Sequence, residues 1–165
     1  MFTKRDRIRR HDAIRDFLAH KLAIKADQFQ VIEEASIDTA SGALKPYLVA
    51  VNQGRVHVVD VIVRHEDVGY LEGHESKIRK YTPLLPPLAE KLNVDPGQVL
   101  PIVVGNRGAI PKLTLSCLED LKITDRKSFV TLALLALRSS IEIYHAFVDY
   151  DAPPAYNLTR PIDPG

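Results

Sequence analysis

Two β-branched runs, Tyr47 to Val51 and Val56 to Val63, flank the tetrapeptide Asn52-Gln53-Gly54-Arg55. Such runs meeting at a short glycine-containing junction predict an antiparallel hairpin, and a hairpin dictates more than its own shape. With the turn at Gln53-Gly54, Asn52 faces Arg55, and counting outward pair by pair sets position 47 directly opposite Asp60. A symmetric four-residue loop from Asn52 to Arg55 gives the same register. Directly opposed residues have Cβ atoms about 4.5–5.5 Å apart, so the hairpin defines which two side chains share one spot on the sheet.

Asp60 stands alone in the run Val58-Val59-Asp60-Val61-Ile62-Val63. A charge in a strand buried on both faces is costly unless it is paired or bound to metal. Three readings are open: a lysine partner, a place at an exposed edge, or a metal ligand. Two carboxylates at the spacing of positions 47 and 60 would hold a hard cation, since Mg²⁺ is usually bound by one or two carboxylates plus phosphate and water. Position 47 is tyrosine, after Lys45-Pro46. Glu34, central in the preceding predicted strand, is a candidate third ligand or a solvent-facing residue.

Lys77, Lys80, Tyr81 and Leu84 recur at i, i+3, i+4 and i+7 and so share one helical face. Leu84 turns that face to the core and carries the lysines with it. A lysine beside a metal would neutralise charge developing on an attacked phosphate or orient the attacking water; the alternative is a pair of surface lysines on an amphipathic helix.

Periodicity and turn signals supply the rest. A helix is predicted over 7–25, with Ile14, Phe17, Leu18 and Leu22 as its apolar stripe. A strand is predicted over 29–37, then a turn at Ser41-Gly42. Residues 69–92 read as helix, divided by Pro83 and Pro86-Pro87. Val99 to Val104 reads as a strand buried on both faces, and Leu113 to Leu121 as a short helix. Thr124-Asp125 caps a long helix over 127–150 that buries Leu132, Leu135, Ala136, Ser139, Ile143 and Phe147. The order is helix, three strands, helix, strand, helix, helix. It predicts one α/β domain, residues 1–150, with a mixed sheet flanked by helices, followed by a proline-rich tail, 151–165.

The chain has 165 residues, enough for one domain with a substantial core, and a formal net charge of +1. Its charge distribution is uneven. Lys4, Arg5, Arg7, Arg9 and Arg10 crowd the start against Asp6 alone, which reads either as a phosphate-contacting patch or as a solvated helix start. Cys117 is the single cysteine, so neither a disulfide framework nor a cysteine-based zinc site is expected, in keeping with the cytosol or nucleus. No apolar run approaches the roughly 20 residues of a membrane span, and no secretion signal precedes the first helix.

A strand opening on Pro-Asp, a second strand carrying an acid, and nearby lysines is the sequence form of the restriction-endonuclease-like, PD-(D/E)xK nucleases. The chain resembles one branch of them, the domain at the C-terminal end of the reverse-transcriptase polyprotein of site-specific non-LTR retrotransposons. The matching segments are Arg10-His11-Asp12-Ala13-Ile14, Glu34, Lys45-Pro46, Val59-Asp60-Val61 with Val63, and Lys77 with Lys80-Tyr81. Further on come Val104-Gly105-Asn106-Arg107-Gly108-Ala109 and Leu137-Arg138-Ser139-Ser140.

The resemblance implies a Mg²⁺- or Mn²⁺-dependent endonuclease that nicks chromosomal DNA in the nucleus. The nick then primes reverse transcription, and the rest of the polyprotein is its partner. It implies Asp60 as a metal ligand, with Glu34 and position 47 as further ligand positions. Lys77, Lys80 and Tyr81 become catalytic or phosphate-contacting, and Arg7, Arg9, Arg10 and Arg107 contact DNA, although Arg107 also suits a turn. His11 reads as a helix-start or packing residue. The pattern wants Asp where Tyr47 stands. A neutral phenol is a poor substitute ligand for Mg²⁺, so the expectation is a retained fold with impaired cleavage. The alternatives are a non-catalytic DNA-binding or scaffolding module of a retroelement polyprotein, or another nuclease of this fold such as a junction resolvase.

Overall fold

The computed structural model describes residues 4–33, 35, 37–39, 42–44, 46, 48–65 and 69–151. The hairpin expected around Gln53-Gly54 is present in the expected register. Strand β4 (Leu48–Asn52) pairs antiparallel with β5 (Arg55–Arg64), with Asn52 opposite Arg55 and Leu48 opposite Val59. Gln53 and Gly54 both have positive φ, 48° and 72°, the conformation of a type I′ turn, whose twist matches that of the strands it joins.

A four-stranded mixed sheet grows around this hairpin in the order β1-β4-β5-β6. β1 (Gln30–Glu33) is antiparallel to β4, and β6 (Asp95–Gly105) is parallel to β5. β6 carries Pro96 and Pro101, which a strand tolerates at a sheet edge because a proline has no N–H to donate. It is nevertheless buried from Val99 to Gly105, because helices cover it.

The strand expected over 29–37 is divided. β1 ends at Glu33, and Ile37–Thr39 (β2) instead forms a separate two-stranded hairpin with Gly42–Leu44 (β3), Thr39 opposite Gly42. Ala35 lies outside any strand, so the two segments are separate.

Helix α1 (Lys4–Ala23) buries Ile14, Leu18 and Leu22 completely, with Phe17 packed against the same cluster. Tyr70–Tyr81 (α2) and Leu85–Leu92 (α3) are separated by a 3-10 turn, Thr82–Leu84, with Pro83 and Pro86 each second in its element, within the first turn. There the missing N–H costs no helical bond. α4 (Lys112–Asp120) and the 26-residue α5 (Arg126–Asp151) complete the chain order. Asp125 caps α5: its carboxylate accepts hydrogen bonds from the Ser128 amide (2.9 Å) and hydroxyl (2.7 Å). Leu132, Ala136 and Ile143 are buried as expected, and Leu135 packs partly against the core. The helix continues through Asp151, one residue past the expected boundary of the tail. The side chain of Phe147 lies outside the described residues, as do residues 152–165.

Strand alternation sends residues to two separate cores. Val59, Val61, Leu100, Ile102 and Val104 pack with α1, α4 and α5. Val56, Val58 and Val99 pack with Tyr81, Leu84, Leu85 and Leu88 of the α2–α3 layer. Asp60 shares the parity of Val58 and therefore faces α2. Among the described residues no helix is long and apolar enough to cross a membrane.

Candidate functional site

The side chain of Asp60 is 2% exposed in the middle of the sheet, with α2 running across it. Lys77 of α2 places its ammonium in ion-pair contact with Asp60 Oδ2, and its own side chain is 25% exposed. Oδ2 thus has charge compensation from Lys77 while no hydrogen bond is made to it. One turn on, Tyr81 is buried to 2% exposure. Lys80 donates to its hydroxyl at 3.1 Å and lies 4.6 Å from its ring centroid, while Lys77 lies 5.8 Å from the same centroid. Both ammonium groups are within reach of the ring's negative face. The four residues chosen from the sequence, Asp60, Lys77, Lys80 and Tyr81, thus form one cluster: a buried acid, two cations and a phenol wall.

Their convergence follows from two periods. α2 runs back along β5 after the intervening 65–69 segment, so residues four apart on the helix descend alongside residues on alternate positions of the strand. Arg64, at the end of β5, lies against the first turns of α2, its guanidinium 3.9 Å from Glu72. Gly73 makes room for it, since a Cβ there would sit 2.9 Å from Arg64 Nε. Arg64 was not singled out from the sequence; its signal is an arginine two strand steps beyond Asp60 on the same face.

Glu34 and Tyr47, the other expected ligand positions, lie outside the described residues. The described ladder ends at Leu48 opposite Val59, one step short of the expected pair of position 47 with Asp60. Among the described residues no three His, Cys, Asp or Glu side chains gather closely enough to hold a metal ion. A divalent cation can still be met by one protein carboxylate together with phosphate and water. The buried Asp60 carboxylate would be that ligand, with Lys77 giving up its contact to Oδ2 for the cation.

The expected DNA-contacting arginines do not join this cluster. Arg9 and Arg10 belong to α1, on the opposite face of the sheet. Arg9 is exposed, while Arg10 is half-buried and donates to Ser140 Oγ of α5 at 3.1 Å. The side chain of Arg7 is outside the described residues. Arg107 is exposed in the turn after β6, where the Gly108 amide donates to Gly105 O at 2.9 Å and the Asn106 amide to Arg64 O at 2.8 Å. Gly108 has φ 91° and a Cβ there would lie 2.9 Å from Ala133 O, so the turn is fitted to α5. His11 contacts Asp12 on its own helix at 3.3 Å.

Cys117 is buried on α4, its Sγ 3.7 Å from His74 Nε2. Burial pushes its thiol up to about 11 and holds His74 below the ordinary imidazole value. A thiol so raised is a packing group rather than a nucleophile.

No protein-family model matches the chain, and no curated protein matches it significantly.

Proposed function

We propose that this chain is a DNA endonuclease domain of the restriction-like kind found in non-LTR retrotransposon polyproteins, acting in the nucleus with Mg²⁺ or Mn²⁺, its cleavage weakened by Tyr47. Asp60 carries the reading: a carboxylate 2% exposed at the centre of a mixed sheet, met by Lys77 with Lys80 and Tyr81 adjacent. A structural ion pair would suit a sheet edge or a rim, where water lowers its cost. Burying it centrally costs more than it returns unless the charges are put to use. The α/β architecture, with its four-stranded mixed sheet between helical layers, accords with the same family.

In this reading Asp60 is the carboxylate that faces a cation and Lys77 is the group that meets a phosphodiester oxygen. Lys77, a quarter exposed, can exchange its contact with Asp60 for one with substrate. Lys80, anchored to the Tyr81 hydroxyl, adds positive potential where charge develops on the attacked phosphate. The divalent ion would supply Lewis-acid activation and a water of lowered pKa. Tyr47 deprives that ion of the second carboxylate the motif expects, which supports weak cleavage.

A second reading, a non-catalytic DNA-binding module, is favoured by one fact: Asp60 is already neutralised by Lys77. Nicking of supercoiled plasmid in Mn²⁺ separates the two. The chain is expected to nick slowly, Tyr47→Asp faster, and Asp60→Asn not at all. A folded, DNA-binding Tyr47→Asp variant with no gain in nicking sinks the missing-ligand account. Undiminished nicking by Asp60→Asn removes Asp60 from the centre.

A further inference from the structure

Arg10 sits where two clefts meet between α1 and α5. One, of about 420 Å³, is lined by Arg9, Arg10, Arg138 and Ser139, with Glu142 also at its wall. The other, of about 450 Å³, is lined by Arg10, Ser140, His65, Asn106 and Tyr144. His65 and Asn106 directly follow the last residues of the parallel strands β5 and β6. The carboxyl ends of parallel strands are where α/β sheets most often bind ligands.

From these we infer that the α1–α5 clefts form a phosphate-binding track for a nucleic-acid backbone, leading from Arg138 and Arg9 through Arg10 to the ends of β5 and β6. Arg10 is the fixed element, braced by its bond to Ser140 Oγ, which in turn donates to Ala136 O. Arg9 and Arg138 are the exposed ends, the Arg138 side chain being 82% exposed. Guanidinium groups pair bidentately with phosphate oxygens and keep their charge at any working pH. Arg138 shares its charge with Glu142 at 3.0 Å, but both side chains are largely solvated, so that pair is weak and yields to a phosphate. Asn106 Oδ1 is buried at the second cleft without a hydrogen-bond partner; turning the amide about its last torsion presents Nδ2 to an anion instead. Two adjoining clefts in series, each with arginine at its wall and apolar floor from Leu135, Ile143 and Val63, suit a chain of phosphates better than one isolated anion.

The track lies across the sheet from Asp60 and Lys77. At the carboxyl edge, Arg107 sits in the turn after β6 and Arg64 lies on the Asp60 face against α2. A duplex would therefore contact the domain on one side and present a strand to Asp60 over that edge.

The inference rests on the nucleic-acid part of the proposed function but not on cleavage, so its test is run without metal. Fluorescence anisotropy of labelled duplex DNA and duplex RNA in EDTA, over a range of salt, is measured for the chain, Arg138→Glu, and Arg9→Glu with Arg138→Glu. Both positions are exposed, and thermal melting confirms that the variants fold. The double variant is expected to lose about tenfold or more in affinity, and the slope of log K against log salt to fall by roughly 0.9 for each lost contact. The duplex whose binding responds identifies the backbone that the track holds. Unchanged affinity and slope in the double variant overturn the inference, as does equal binding of labelled polyglutamate. A chain that binds through these arginines but never nicks, even as Tyr47→Asp, loses the nuclease reading alone. One that nicks while the double variant binds normally loses only the track.

Discussion

Lys77→Met tests the central pair where the structure makes the sharpest statement about energy. The Asp60 side chain is 2% exposed and Lys77 is 25% exposed. Removing one member of a buried ion pair strands the other, at about 3–5 kcal/mol. Water already reaches part of Lys77, so the expected loss is near the lower end, about 3 kcal/mol. At a urea dependence of about 2 kcal/mol/M this lowers the unfolding midpoint by about 1.5 M. The reciprocal variant, Asp60→Val, is expected to cost less, because a stranded Lys77 can turn its ammonium to solvent whereas a stranded Asp60 cannot. The double variant, Asp60→Val with Lys77→Met, places valine among Val58, Val59 and Val61. It is expected to recover to within about 1 kcal/mol of the parent, since well-packed apolar groups often replace buried pairs without loss. Urea unfolding followed by circular dichroism gives all three numbers. The reasoning is refuted if Asp60→Val costs more than Lys77→Met, or if the double variant is as unstable as Lys77→Met.

Two further outcomes follow from groups outside the centre. The Ser128 hydroxyl and amide, and then Lys21 at 3.1 Å, hold the Asp125 carboxyl well below the usual carboxylate range. A carboxyl depressed in the folded state stabilises above its unfolded value, about 4, and that stability is lost as pH falls through the folded value. Asp125→Ala should therefore lower the melting temperature at pH 7 and flatten its decline below about pH 4; parallel pH profiles for parent and variant would contradict the cap. Cys117, with its thiol pushed up to about 11, is expected to react with iodoacetamide at pH 8 at least roughly a hundredfold more slowly than a free thiol, and normally once unfolded in urea. Fast labelling of the folded chain would show that α4 opens readily.

Much of this arrangement was legible because it rests on short-range rules. The hairpin register needed only the turn at Gln53-Gly54 and a count of pairs. The shared face of Lys77, Lys80 and Tyr81 needed only the helical period. Pro83 and Pro86 marked the break between α2 and α3, and Asp125 marked the start of α5. What failed at this level was the strand over 29–37: Ala35 lies outside any strand, and Ile37–Thr39 pairs with Gly42–Leu44 instead of extending β1. A strand's own composition carries no record of which neighbour it will pair with.

The lone aspartate, the lysines at helical spacing and the turn that aligns the strands were set by the sequence alone, since each depends on intervals of a few residues along one chain. Which lysine meets Asp60 was decided by α2 packing across β5. That Arg10 would turn away from this centre, brace itself on Ser140 and face Arg138 was decided by α1 lying against α5. Residues 10 and 140 are joined only by burial of the apolar stripes that their helices share, and such a contact leaves no periodic mark in either segment.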